Sequence, residues 1–127
     1  MRFPKKTRQE VFEKFGGKCA YTGTDLKEDW QIDHIYPLRY GGSNTIDNLY
    51  PCQAIVNHYK RSLTLNVFKG WYLARLHLRL AKLPKQPRTK ASEKRKKYLL
   101  DLADLFGIAA DKPFSGVFYF ETLISKR

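Results

Sequence analysis

Cysteine is scarce in these 127 residues: there are two, Cys19 and Cys52. Two thiols cannot build a disulfide-stapled scaffold. Both are expected to be reduced, in an intracellular (cytoplasmic) rather than a secreted protein. No apolar stretch approaches the ~18–20 residues that a membrane-spanning helix needs. Met1-Arg2-Phe3-Pro4-Lys5-Lys6 has no apolar run behind it, so no signal peptide is expected. Negative charge is the other shortage. Asp and Glu number 12 against 24 Lys and Arg, a formal net charge of +12. That excess suits a polyanionic partner, most commonly nucleic acid. By itself it does not separate a nuclease from a histone-like or RNA-binding ribosomal protein. No internal repeat is visible.

A chain of this size buries about two thirds of its unfolded surface, enough for one core and an extension. Residues 5–15 read as a helix capped by Thr7 with Glu10 three residues on. Val11, Phe12 and Phe15 give its apolar side, and Gly16-Gly17 stop it. Residues 30–35 alternate like one strand of a hairpin. Pro37 and Gly41-Gly42 bend the chain, residues 48–50 are extended, and residues 51–61 read as a helix. Thr64 opens a second helix over 65–83, with Leu65, Phe68, Tyr72, Leu76 and Leu80 at helical spacing; Trp71, Leu73 and Leu83 widen the stripe. His77 on that helix reads as a surface or packing residue. Pro84–Lys90 is a linker. Ser92 begins a third helix with Tyr98, Leu99, Leu102, Leu105 and Phe106 inward, ended by Gly107. Val117–Thr122 is strand-like, with no assigned partner.

Polar groups concentrate between Asp33 and Lys60, in a segment otherwise rich in Ile, Tyr and Leu. Asp and Asn offer hard oxygen ligands, which suit Mg²⁺ or Mn²⁺. A neutral His can take a proton from water near neutral pH. Neighbours on a strand point to opposite faces, so Asp33 and His34 share a direction only if the strand ends or twists there. Asp33-His34-Ile35, Gly41-Gly42, Asn48-Leu49 and Asn57-x-x-Lys60, in that order, resemble the HNH nucleases of the ββα-metal class over roughly residues 15–62. The resemblance implies an α+β fold: a ββα-metal core with its N-terminal helix over residues 1–62, and a mostly helical basic extension over 63–127 packed on it.

It also implies roles. His34 matches the general base, Asp33 and Asn57 the metal ligands, and Asn48 the residue that holds the loop and orients the histidine. His34, Asn48 and Asn57 form the implied catalytic set. His58 is a rival for the last position, but the Asn-x-x-Lys register favours Asn57. Lys60, then Arg61 and Arg39, are candidates to meet phosphates. A positioned base contributes about 10²–10⁴ in rate, whereas enzymes reach accelerations of ~10¹⁷. A divalent cation, Mg²⁺ or Mn²⁺, is therefore expected to share the work.

Many members of the family also carry a four-cysteine zinc site. Here Thr22, Gln53 and Val56 stand where cysteines would, and Cys52 is one residue out of register. Structural zinc wants four N or S ligands, so none is expected. Apolar packing by Tyr21, Trp30, Leu49 and Val56 should replace it. The basic run from Arg75 to Lys97 is either a solvated face or a track for a phosphate backbone, with Arg88 and Lys94 as candidates. The implied function is a metal-dependent DNA endonuclease, a monomer or weak homodimer, with cutting of one strand or of both left open. The alternative is a catalytically inactive DNA-binding module of nuclease ancestry.

Overall fold

The structure is a computed structural model that describes residues 3–124. It divides into two compact units. One runs to Leu65 and resumes at Val117; the other spans Asn66 to Gly116.

In the first unit, helix α1 covers Lys5–Glu13, with Pro4 at its N-cap and no side-chain cap. Thr7 therefore lies inside the helix rather than capping it: the fixed φ of Pro4 suits the entry to a helix. Val11 is buried, Phe12 packs on Trp30 with ring centroids 5.8 Å apart, and Phe15 meets Tyr50 edge-on at 5.1 Å. Strand β1 (Gln31–His34) pairs antiparallel with β2 (Leu49–Cys52), Asp33 opposite Tyr50 and His34 opposite Leu49. Helix α2 (Ala54–Lys60) follows and completes the β–β–α order.

Two strands alone are marginal in water, and here aromatic rings cover them. Tyr21 and Phe118 are buried and meet edge-on at 5.0 Å, and Tyr50 meets Phe120 at 4.9 Å. Val117–Thr122 does not form the expected strand. A short helix, α3 (Tyr119–Ile124), begins there, and the Tyr119 and Phe120 amides donate to the carbonyls of Tyr21 and Ala20 at 3.0 and 2.9 Å. Packing of Phe118 and Phe120 against Tyr21 and Tyr50 holds this stretch in the first unit, and the second unit ends at Gly116. Gly23 permits the approach: its φ is +72°, and a Cβ there would stand 2.6 Å from the Tyr119 ring.

The second unit departs from the expected continuous helix over 65–83. The chain is α-helical over Leu65–Val67, widens into a π turn at Phe68–Tyr72, tightens into a 3₁₀ turn at Leu73–Arg75, and returns to α over Leu76–Ala81. A π turn carries one extra residue per turn. It moves Leu73 inward with Phe68, Leu76 and Leu80, all buried. Trp71 is left 55% exposed, with the Arg75 guanidinium 3.7 Å above its ring. The long helix over Lys90–Leu105 begins two residues before Ser92, because Thr89 caps it: its Oγ1 accepts from the Ser92 amide at 3.0 Å. Gly107, with φ +69°, follows its end. Leu99, Leu102 and Ala103 are its buried side. The Lys96 ammonium donates to the carbonyls of Pro84 and Lys85, 2.9 Å each, and fastens the linker. No helix among the described residues is long and apolar enough to cross a membrane.

Candidate functional site

β1 ends at His34, and the chain turns away through Pro37 and a 3₁₀ turn at Leu38–Tyr40. The Gly42 amide donates to the Pro37 carbonyl at 3.0 Å. A Cβ on Gly42 would stand 1.9 Å from the Tyr36 carbonyl oxygen, so only glycine fits. Asn48 clasps the two sides of this loop. Its Oδ1 accepts from the Tyr36 amide at 2.9 Å, and its Nδ2 donates to the carbonyls of Tyr36 and Ser43 at 3.1 and 2.7 Å. The Asn48 carboxamide holds the loop and makes no hydrogen bond to the His34 ring.

The half-exposed His34 ring is held by a residue that sequence reasoning missed. Its Nε2 lies 2.7 Å from the Asn44 carboxamide oxygen. An amide oxygen only accepts, so Nε2 carries the ring proton and Nδ1 the lone pair of the neutral imidazole. The sequence signal was slight: an Asn in a polar loop, two residues beyond Gly41-Gly42.

Asp33 points the other way, as strand alternation requires. It is 4% exposed. Its Oδ2 accepts from the Tyr21 hydroxyl and stands 3.1 Å from the Lys60 ammonium, which is 3.3 Å from Oδ1. Lys60, fully buried, also donates to the His34 carbonyl at 3.3 Å. Burial raises the Asp33 carboxyl above its usual range, opposed first by Lys60, then by Tyr21 and His34. Burial, then Asp33, pushes the Tyr21 hydroxyl well up.

The expected phosphate role of Lys60 is therefore corrected. One helical turn from Asn57, it faces inward and neutralises Asp33 instead of meeting solvent. Asn57 donates from Nδ2 to Gln31 Oε1 at 2.7 Å. Gln31 and Asp33 share one face of β1, and Asn57 and Lys60 meet them from α2. The expected convergence of His34, Asp33 and Asn57 is thus not formed: the strand sends His34 to one face and Asp33 to the other.

Among the phosphate candidates, Arg39 is exposed, with its guanidinium 4.7 Å above the Tyr40 ring. Arg61, exposed, ends α2 at φ +53°. Arg88 and Lys94 are exposed in the second unit, in the linker and on the long helix. His58 is exposed.

Cys19 and Cys52 are buried free thiols. A hydrogen bond from Cys52 draws Cys19 down to about 6, while burial drives Cys52 well up. Tyr21, Leu49 and Val56 pack here as expected, whereas Trp30 stacks on α1. A second missed residue supplies the polar tie. Gln53, 2% exposed, accepts from the Lys27 amide at 3.1 Å and donates to Thr24 Oγ1 and the Asp25 carbonyl at 3.0 and 2.7 Å. It joins the start of α2 to the loop after Cys19 by hydrogen bonds, at a position where the resemblance expects a zinc ligand. Among the described residues no group of three or more His, Cys, Asp or Glu side chains is placed to hold a metal ion.

Residues 19–64 match the family model described as HNH endonuclease. Searches of curated proteins and of solved structures gave no match. The matched segment contains both strands, α2, the clasped loop, His34, Asn48 and Asn57, and it leaves α1, the second unit and α3 outside. The likeness to the HNH endonuclease family is thus carried by residues 19–64, which hold the hairpin, the helix and the clasped histidine loop.

Proposed function

We propose that the chain is a DNA endonuclease in which His34 is the general base, taking a proton from the water that attacks a backbone phosphorus. The observation that supports this reading is the His34 ring. It sits half-exposed at a strand end, protonated at Nε2 by its bond to Asn44 and carrying its lone pair on Nδ1, which accepts no hydrogen bond from the described residues. An imidazole with an unshared ring lone pair can act as a general base. Arg39 and Arg61, exposed in the same unit, are the proposed phosphate contacts; such contacts position a duplex without reading its sequence. One site per chain makes a nick the natural product.

The family register would give Mg²⁺ or Mn²⁺ to Asp33 and Asn57. Bound there, such a cation would supply charge stabilisation to the phosphate. In the arrangement described, the residues do not fit it. The Asp33 carboxylate is neutralised by Lys60 and hydrogen-bonded by Tyr21, and an ammonium 3.1 Å from Oδ2 repels a second cation. That ion pair is also what favours the alternative, a DNA-binding module without catalysis. Supercoiled plasmid with Mg²⁺ or Mn²⁺, a chelator control and His34→Ala separates the two. The nuclease reading expects open circles from the wild type and a loss of about 10² or more in the variant. Salt-dependent DNA binding with no cleavage in either metal favours the module.

A further inference from the structure

We infer that Asn44 is a positioning residue for His34, a role that rests on the proposal that His34 is the base. The Asn44 side chain makes one hydrogen bond among the described residues, to His34 Nε2 at 2.7 Å. The ring in turn has no other hydrogen-bond partner there; its further restraint is the Phe3 ring, tilted with centroids 5.9 Å away. Asn44 therefore does two things at once. It selects the tautomer with the lone pair on Nδ1, and it stops the ring from turning about χ2, which is otherwise broad for a histidine.

Asn44 is itself held between fixed neighbours. Asn48 binds the Ser43 carbonyl at 2.7 Å, and the Ser43 and Thr45 hydroxyls meet across Asn44 at 2.7 Å. Asn48 thus acts on the base through the backbone beside Asn44, and Asn44 touches the ring. A base must lie within hydrogen-bond reach of its water in the right orientation, and a misplacement of about 1 Å costs on the order of 10²-fold. Asn44 is exposed, and its side chain is hydrogen-bonded to nothing else among the described residues, so its loss should cost turnover and leave folding intact. That combination separates it from a residue that merely shapes the loop.

The test is plasmid-nicking kinetics on wild type, His34→Ala, Asn44→Leu and Asn44→Asp, with thermal melting of each and ¹H–¹⁵N correlation of the histidine rings. Asn44→Leu keeps the size and removes the acceptor; Asn44→Asp restores an acceptor. The expected result is a fall in kcat of about 10–100-fold for Asn44→Leu, with KM within about twofold and an unchanged melting point. Asn44→Asp should recover most of the rate. The slowly exchanging Nε2 proton of His34 should persist in wild type and Asn44→Asp and vanish in Asn44→Leu. A wild type that cuts, a dead His34→Ala and a fully active Asn44→Leu would overturn this inference and leave the general base standing. Equal losses in both Asn44 variants with lowered melting points would reduce Asn44 to loop structure and overturn it too. A wild type that nicks nothing removes the base, and the positioning role with it.

Discussion

Replacing Lys60 with Met tests the buried ion pair that closes the Asp33 face. At an effective dielectric near 20, unit charges 3.1 Å apart attract by about 5 kcal/mol. Much of that offsets the desolvation of two groups that are 0% and 4% exposed. Removing Lys60 leaves Asp33 buried with the Tyr21 hydroxyl as its remaining hydrogen-bond partner among the described residues, and such losses cost about 3–5 kcal/mol. Removing both charges, in Lys60→Met with Asp33→Asn, should cost distinctly less, about 1–2 kcal/mol. Trp30 lies in the first unit, so its fluorescence during urea unfolding in a Trp71→Phe background reports the unit concerned. The deficit should depend on pH. Burial already raises the Asp33 carboxyl, and Lys60 is the strongest influence opposing that rise, so without Lys60 it rises further. A carboxyl that titrates higher folded than unfolded (about 3.9) binds its proton more tightly in the folded state. Its burden on stability is therefore full above the folded pKa and lifts as pH falls through it. The Lys60→Met deficit should be largest near pH 7 and shrink towards pH 4. A deficit under about 1 kcal/mol at pH 7, or one equally large at pH 4, would show that no buried charge is left uncompensated and refute the reasoning.

Three further outcomes follow from other contacts. Gly42→Ala places a methyl 1.9 Å from the Tyr36 carbonyl; the loop must open, and nicking should fall more than about tenfold even where circular dichroism is unchanged. Gln53→Leu deletes three hydrogen bonds and strands the Lys27 amide; urea unfolding should show a loss of about 2–3 kcal/mol, and a neutral result would mean that apolar packing alone replaces the zinc. Cys19 is drawn down to about 6 yet has no exposed surface, so burial decides its reactivity: iodoacetamide at pH 8 should label neither cysteine in the native protein and both in urea, and rapid native labelling of Cys19 would contradict the packing.

The parts legible in advance were those that depend on neighbours in the chain. Alternation around Asp33-His34 announced β1, and the Gly-Gly pair announced the bend, because strand period and backbone freedom are local properties. The Asn48 carboxamide closes its loop over a short span, so its use could be read from spacing. The second unit shows the limit of that approach. A stripe at helical spacing gave the helix, but the π turn at Phe68–Tyr72 shifted its phase and put Leu73 rather than Tyr72 inside, since packing can override ideal pitch. Val117–Thr122 looked like a strand from its aromatics; docking on Tyr21 and Tyr50 made it a helical turn instead.

The order and spacing of Asp33, His34, Asn48 and Asn57 pointed to the HNH likeness and to the hairpin-and-helix core, because those follow from short-range geometry. Only the tertiary structure decided which partner each polar side chain takes. Lys60 turns inward to Asp33, Asn44 holds His34, and Gln53 stands in for a missing ligand. The physical reason is that a charge or a carboxamide is worth little in water and much once covered, and what covers it is contributed by segments far away in the chain.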